Sequence, residues 1–323
     1  MTPKPSVLIS CGHLIRNVQD FRPSFDEIGV KITVPQLNGQ QFDAAEMLKL
    51  LPGHSTAIVG DDHVTAEVLQ ASQPHLEALI KWGIGTDNID LESAKRLNVP
   101  VYNTPGQFSS EVADLAIGMM LSLARQISFI DHNVREGNWV RVEGESIAGS
   151  KAHIIGMGNI GQSIAKRLLA FDVTVSGSDP YHTEFSEKFQ RADLEMGVTD
   201  ADWVFVACAL TSDNLHLIDD KLMSTMKLGA HIINVARGPL IEEKSLFRHL
   251  STGHLRGAGL DVFETEPFSS QNPIAQLPNV ILGSHGGSST KQAIHRVNSL
   301  TVKMALELIS TGSLDTNHKR ANA

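Results

Sequence analysis

The chain alternates short β-branched runs with longer segments of helical periodicity along almost its whole length. This alternation is typical of βαβ units, in which helices connect parallel strands and pack on the sheet they form. Two successive series of such units are present, so the sequence predicts an α/β protein with a small α/β unit first and a doubly wound parallel sheet second. The strand candidates are residues 7–10, 30–34, 57–60, 79–82 and 99–102 in the first series, and 152–155, 173–175, 203–208, 231–235, 257–260 and 280–282 in the second.

Helical periodicity fills the intervals between these strands. Apolar residues recur at helical spacing from 109 to 136 and predict one long helix, which could be a domain connector, a dimer contact or a buried core helix. A last helix is predicted at 290–309. Shorter helices are predicted in the first third of the chain, at 42–50, 65–71 and 91–97.

Composition narrows the classes of partner. At roughly 150 residues per domain, 323 residues favour two domains. With 27 basic against 36 acidic residues the formal charge is −9, so no nucleic-acid partner is expected. The two cysteines, Cys11 and Cys208, favour a reducing compartment and hence the cytoplasm. We expect no membrane association and no metal, because no apolar stretch reaches the roughly 20 residues that span a bilayer and no zinc-ligand spacing occurs.

The run Gly156-Met157-Gly158-Asn159-Ile160-Gly161 matches the pattern G-x-G-x-x-G between a strand candidate and a helix. In that context Gly156 permits a tight turn, Gly158 lets the backbone approach a pyrophosphate, and Gly161 allows close packing of helix on sheet. The helix N-terminus that follows attracts the anion. The sequence therefore predicts a dinucleotide site.

Asp179 follows the next strand candidate, 18 residues after Gly161. A carboxylate there can accept hydrogen bonds from the adenosine ribose and would repel a 2′-phosphate, which favours NAD over NADP. Ser176-Gly177-Ser178 separates the strand candidate from the acid, so a surface aspartate in a turn is the alternative.

Three chemically suitable side chains, Arg237, Glu266 and His285, follow three strand candidates of the second series. Oxidising an alcohol beside a carboxylate needs a base, a partner that orients the base, and a cation for the carboxylate. Ligands of open α/β sheets bind at the carboxyl ends of strands, so these residues could share one crevice. Taken singly, an Arg, Glu or His at a strand end is usually just a polar loop residue.

The joint occurrence of several motifs in order resembles the D-isomer-specific 2-hydroxyacid dehydrogenases over nearly the whole chain. The motifs are Trp82 to Asp90, Asn103-Thr104-Pro105-Gly106, Gly156 to Gly161, Asn234 to Gly238, Gly259 to Pro267, and His285 followed by Gly-Gly-Ser-Ser-Thr.

The resemblance implies an NAD-dependent oxidoreductase that moves a hydride between nicotinamide and C2 of a small 2-hydroxy or 2-oxo acid. It makes His285 the general acid/base, Glu266 the partner that raises its pKa, and Arg237 the group that binds the substrate carboxylate and oxo oxygen. The implied cofactor contacts are Gly156, Gly158, Asn159, Ile160, Gly161, Asp179, Thr104, Ala236 and Asp261, with Asp261 on the nicotinamide carboxamide. The backbone amides of Gly83, Ile84 and Gly85 are expected to cradle the substrate carboxylate, as successive amides of a glycine turn can.

The resemblance also implies the domain organisation. Residues 1–102 plus 290–323 would form a flavodoxin-like substrate domain, and 103–289 a Rossmann NAD-binding domain inserted into it, with the active site in the cleft. Both domains would contain a doubly wound parallel sheet. A homodimer through the NAD-binding domain is expected.

The substrate itself is left open. Phosphoglycerate-oxidising relatives present a basic residue from the loop after the third strand, where this chain has Gly60-Asp61-Asp62-His63. Lys81 or another basic residue could compensate. Formate dehydrogenases carry Gln where this chain has Glu266, which disfavours that activity. A non-enzymatic NAD(H)-sensing protein, resembling transcriptional corepressors of the same fold, is the alternative function.

Overall fold

A computed structural model describes residues 5–182, 189–314 and 320–321. The chain forms two compact units, residues 1–107 with 290–323 and residues 108–289. The boundary expected after residue 102 therefore lies inside the first unit. Residues 103–107 belong there because the Thr104 N–H donates to the Gly83 carbonyl at 2.9 Å.

The first unit is built on a five-stranded parallel sheet with the order β2-β1-β3-β4-β5, which is the flavodoxin-like order. Each strand overlaps a predicted one, whereas helix α1 lies in a part of the sequence where no helix was predicted. The strands are β1 (Ser6–Ile9), β2 (Lys31–Thr33), β3 (Thr56–Val59), β4 (Ala78–Lys81) and β5 (Val101–Tyr102), and the helices are α1 (Gly12–Glu27), α2 (Ala44–Leu50), α3 (Ala66–Ala71), α4 (Leu91–Arg96) and, at the end of the chain, α11 (Lys291–Thr311).

The second unit contains a seven-stranded parallel sheet, β12-β11-β10-β9-β6-β7-β8. This is the doubly wound dinucleotide-binding order with one strand added beside β11. The predicted sheet lacked β8, a two-residue exposed strand. The strands are β6 (Lys151–Ile155), β7 (Thr174–Ser178), β8 (Gln190–Arg191), β9 (Trp203–Val206), β10 (Ala230–Asn234), β11 (Leu255–Leu260) and β12 (Val280–Leu282), and the helices are α5 (Ser109–Arg125), α6 (Ile127–Arg135), α7 (Asn159–Ala170), α8 (Leu194–Asp200), α9 (Asp220–Thr225) and α10 (Glu243–Ser251).

The prediction of one helix over 109–136 was wrong. Helix α5 ends at Arg125, the next residue Gln126 has a left-handed φ of 55°, and α6 is bent by 65° relative to α5. Most of one face of α5 is buried, but no residue of α6 is. Within the described part of the chain, no single helix is long and apolar enough to cross a membrane; only this bent pair reaches that length and composition together.

The middle of the second sheet is covered on both faces, as parallel sheets are, and every residue of β9 and β10 is buried. Two histidines are enclosed there. His231 stacks on Trp203 with ring centroids 4.1 Å apart, and His153 makes hydrogen bonds to two serine hydroxyls. Burial lowers the pKa of each imidazole to about 4, so both rings are neutral at pH 7.

Candidate active site

The glycine-rich turn between β6 and α7 has a separate physical reason for each glycine. Gly156 has a φ of 96°, and a Cβ on it would lie 2.5 Å from the Cys208 nitrogen. A Cβ on Gly161 would overlap the Gly156 carbonyl oxygen. A Cβ on Gly158 would meet no atom within 4 Å. Gly156 and Gly161 are therefore needed for close packing, Gly156 against Cys208 and Gly161 against Gly156, while Gly158 leaves open space beside the turn.

Asp179 directly follows β7, because that strand runs on to Ser178 and not only to residue 175. Its Oδ2 accepts the Met157 N–H at 2.8 Å, and its Oδ1 accepts the amides of Tyr181 and His182. Burial acts to raise the pKa of Asp179, but the three amide donors outweigh it and hold the pKa below its usual value. The carboxylate is therefore ionised and tied to the glycine-rich turn.

These features fit an adenine dinucleotide. A carboxylate has about four lone-pair positions, so three amides leave Asp179 able to accept one further bond, such as that from a ribose hydroxyl. The open space at Gly158 lies next to the N-terminus of α7, where orphan amides and the helix dipole favour a pyrophosphate.

Arg237 follows β10 in a turn shaped by a residue that the sequence analysis did not select. The buried Asn234 accepts the Ala236 N–H at 3.0 Å and donates to the Arg237 carbonyl at 2.9 Å. An asparagine at a strand end can signal such a turn, but many asparagines at strand ends form no such turn. The guanidinium in turn donates to the Ala236 carbonyl at 2.8 Å.

Gly238 allows a close approach between two loops. A Cβ there would overlap the Phe263 carbonyl group and approach the Glu264 nitrogen. The glycine thus brings the turn of Arg237 against the loop that carries Glu266.

Glu266 and His285 form a hydrogen-bonded pair. Glu266 Oε2 lies 2.8 Å from His285 Nδ1, and Glu266 Oε1 accepts the Phe263 N–H at 3.0 Å. Both side chains are partly exposed, at 20% and 26%. The carboxylate orients the imidazole so that Nδ1 faces Glu266 and Nε2 is the ring nitrogen on the opposite side.

Asp261, at the end of β11, builds the turn on which His285 sits. Its carboxylate accepts the amides of Gly286 and Gly287, both at 2.9 Å, and its carbonyl accepts the His285 N–H at 2.7 Å. His285 has a φ of 54°, a left-handed conformation that is unfavourable for most non-glycine residues, and the contacts with Asp261 hold it there. Burial raises the pKa of Asp261, and the two amides oppose that effect.

The strands that precede Arg237, Asp261 and His285 are β10, β11 and β12, which are adjacent in the sheet. In the second unit Arg237, Asp261 and the Glu266–His285 pair therefore all follow strands at the carboxyl edge of one sheet.

The predicted glycine loop, Gly83 to Gly85, lies in the first unit after β4. The Gly83 N–H donates to the Thr104 hydroxyl at 3.0 Å. The expectation that this amide would bind the substrate carboxylate was therefore wrong. Thr104, expected to contact the cofactor, is fully buried and holds the Gly83 carbonyl as well. No hydrogen bond to the amides of Ile84 and Gly85 is formed within residues 5–182, 189–314 and 320–321.

The acidic loop after β3 is more nearly neutral than its sequence suggests. Asp62 is buried and accepts the amides of Gly60 and Phe42 and the Ser10 hydroxyl. Asp61 pairs with Lys81 at 2.7 Å. The Lys81 ammonium, only 2% exposed, also donates to the Gly60 carbonyl. Lys81 therefore offers no free charge to a phosphate.

Comparison with known proteins agrees with this architecture. Residues 117–287 match the family model for the NAD binding domain of D-isomer specific 2-hydroxyacid dehydrogenases. A hydroxypyruvate reductase of Thermotoga maritima is 34% identical over 279 residues, 84% of this chain and 91% of that protein. A D-3-phosphoglycerate dehydrogenase of Methanocaldococcus jannaschii is 34% identical over 79% of this chain, but only 49% of that protein. Among solved structures, the TT0316 protein of Thermus thermophilus has a TM-score of 0.84 at 29% identity, covering 97% of this chain and 99% of that one.

The fold and the comparisons define an NAD-dependent oxidoreductase that acts on a CH–OH group by hydride transfer. The chain belongs to the D-isomer-specific 2-hydroxyacid dehydrogenase family, whose substrates are small 2-hydroxy and 2-oxo acids.

Proposed function

We propose that this protein reduces a small, unphosphorylated 2-oxo acid to the D-2-hydroxy acid, with His285 as proton donor. The observation that carries the proposal is the 2.8 Å contact between His285 Nδ1 and Glu266 at the carboxyl edge of the sheet. NADH, when bound, supplies the hydride that C2 of the substrate receives.

His285 supplies the matching proton. Because Nδ1 remains hydrogen-bonded to Glu266, the proton is donated from Nε2 to the C2 oxygen as the carbonyl is reduced. The Glu266 carboxylate stabilises the imidazolium before transfer and keeps the ring oriented afterwards. In the reverse direction Nε2 accepts the hydroxyl proton.

Arg237 is proposed to bind the substrate carboxylate and to polarise the C2 oxygen. A guanidinium offers paired N–H donors that match a carboxylate, and its charge stabilises the alkoxide that develops in the transition state. The Asn234 turn and the tight packing at Gly238 support this role because they fix the backbone at Arg237. The amides of Ile84 and Gly85 are proposed as further donors to the carboxylate.

We propose an unphosphorylated substrate because the loop after β3, which the structure describes in full, offers no free cation to a phosphate. Where a phosphate would need a cation, this chain has Asp61, and Lys81 is already paired with it. The phosphoglycerate dehydrogenase and the hydroxypyruvate reductase are equally identical to this chain, at 34%, so identity does not distinguish the two activities.

We also propose a homodimer formed through the second unit. Helix α6 buries none of its residues, and it exposes Ile127, Phe129 and Val134. Trp139, shortly after it, is 80% exposed. Sedimentation should give a dimer that Phe129→Glu converts to monomer, while Met196→Glu, at an exposed apolar residue of α8, leaves it intact. A dimer that survives Phe129→Glu would contradict this surface.

Both cysteines are free thiols. This fits the proposed location, the reducing cytoplasm.

A panel of 2-oxo acids tests the proposed reaction. Glyoxylate, pyruvate, hydroxypyruvate, 2-oxobutanoate and 3-phosphohydroxypyruvate should be offered with NADH and with NADPH, and NADH binding measured separately. We expect turnover with NADH, and least with the phosphorylated acid. NADH binding without turnover of any acid would contradict the proposal and favour a sensor.

A further inference from the structure

The first sheet has a feature that the proposed reaction does not use. Its strands β1 and β3 are neighbours, but β1 is followed by β2 on one side of the pair and β3 by β4 on the other side. Ligands of doubly wound sheets bind outside the carboxyl ends of strands at such a switch point. Here that edge carries His13 at the start of α1, Asp61 after β3 and Trp82 after β4.

The His13 ring is held in one place. It stacks on the Trp82 indole with centroids 4.6 Å apart and planes at 26°. The indole N–H donates to Asn298 Oδ1 at 2.8 Å, and the amide nitrogen of Asn298 reaches the His13 carbonyl at 3.4 Å. Asn298 is fully buried, so the stack is anchored from within the unit. Trp82 directly precedes Gly83, the first residue of the glycine loop.

The tautomer of His13 follows from its neighbour Arg16. The guanidinium of Arg16 lies 3.2 Å from His13 Nδ1. Because a guanidinium only donates hydrogen bonds, Nδ1 is the acceptor and Nε2 carries the proton. Burial lowers the pKa of His13, and the charge of Arg16 lowers it further, so the ring is neutral at pH 7. Among the described residues, Nε2 has no hydrogen-bond partner.

We infer that His13 determines substrate specificity by donating a hydrogen bond from Nε2 to a neutral oxygen on C3 of the 2-oxo acid. This inference rests on the proposed function, in which the Ile84 and Gly85 amides of the adjoining glycine loop are further donors to the substrate carboxylate. Asp61 lies close enough to act electrostatically on His13, and its ion pair with Lys81 leaves that ammonium no free charge for a carboxylate or phosphate on C3. The favoured class is therefore 2-oxo acids with a hydroxyl on C3.

A matched pair of substrates tests this inference. Hydroxypyruvate and 2-oxobutanoate have the same number of heavy atoms and differ by a hydroxyl in place of a methyl group. A site that hydrogen-bonds a hydroxyl discriminates strongly against the analogue that lacks it, so we expect the wild-type ratio of kcat/KM to be roughly 100 or more in favour of hydroxypyruvate.

Three variants separate the hydrogen bond from a structural effect. His13→Phe keeps the stack on Trp82 but removes the donor, and the ratio should fall to within about threefold of unity. His13→Gln places an amide N–H near the position of Nε2 and should restore part of the ratio. Arg16→Met frees Nδ1, allows the other tautomer and should give an intermediate ratio.

Several outcomes would overturn the inference. A wild-type ratio near unity would do so, as would equal losses for both substrates in folded His13→Phe. If His13→Phe fails to fold, an unchanged ratio in Arg16→Met is decisive against it. Should the wild-type enzyme reduce neither acid while it binds NADH, the proposed function itself fails, which is a different result from turnover without discrimination.

Discussion

The main-chain N–H of His285 donates to the Asp261 carbonyl across 2.7 Å, and the Asp261 carboxylate receives the two amides that follow. One acid thus closes the turn that holds the proposed proton donor in its left-handed conformation. The family resemblance implies that Asp261 contacts the cofactor, whereas these hydrogen bonds show that it also positions the backbone of His285.

Replacing Asp261 by Asn tests which of these roles dominates. The variant keeps the size of the side chain but turns an NH₂ group toward one of the two glycine amides, which leaves that amide unpaired at a cost of about 1–3 kcal/mol. We expect kcat to fall by roughly tenfold or more, with the Kd of NADH changed by less than about threefold. A large loss of NADH affinity at unchanged kcat would instead favour the cofactor contact.

The glycine-rich turn offers a matched pair of variants. Gly161→Ala would force a Cβ into the Gly156 carbonyl and should lower the free energy of unfolding by about 2 kcal/mol or more. Gly158→Ala meets no protein atom, so we expect a near-native Tm but at least a tenfold weaker Kd for NADH. Thermal unfolding and NADH titration check both. Tight NADH binding by Gly158→Ala would show that the pyrophosphate does not approach there.

Asp179→Asn removes the charge that should exclude a 2′-phosphate. The NADH-over-NADPH ratio of kcat/KM should fall by at least about tenfold, equivalent to 1.4 kcal/mol. Steady-state kinetics with both cofactors measure the ratio. An unchanged ratio would mean that another group selects the cofactor.

His153 and His231 should make the free energy of unfolding of the second unit fall at acidic pH. Their folded pKa of about 4 lies below the unfolded value of 6.5, so the unfolded chain binds more protons in between. Stability is therefore constant above pH 6.5 and falls as the pH drops toward 4, by about 2 kcal/mol per ring at pH 5. Urea unfolding at pH 7.5 and 5 measures the loss.

A variant pair isolates the histidine contribution. His231→Phe keeps the stack on Trp203 and should reduce the loss between pH 7.5 and 5, whereas His63→Gln, at an exposed ring, should not. Equal pH dependence in wild type and His231→Phe would contradict the assignment.

The parts of the fold that depend on local pattern were predictable from sequence. Most strands and the Gly156 turn were found because period and turn chemistry act over a few neighbouring residues, although the end of β7 was not. The break at Gln126 was missed because the apolar period continues across it, and because glycine or asparagine usually marks a left-handed helix end. The strand Gln190–Arg191 is two exposed polar residues and carries no pattern.

The parts of the site that depend on distant contacts were not predictable. Lys81 is neutralised by Asp61, which lies twenty residues earlier, and the Gly83 amide is taken by Thr104, which lies on another loop. The packing at Gly238 likewise depends on Phe263. Residue types at strand ends thus indicate the class of chemistry, but the tertiary fold decides which donors and charges remain available.

The most direct test of the account is the rate of 2-oxo acid reduction by His285→Gln, measured beside its affinity for NADH. Loss of the proton donor should lower kcat by roughly 10²–10⁴-fold, while the Kd of NADH stays within about threefold of the wild-type value. Turnover within tenfold of wild type, with NADH bound normally, would contradict the assignment of His285 as the proton donor.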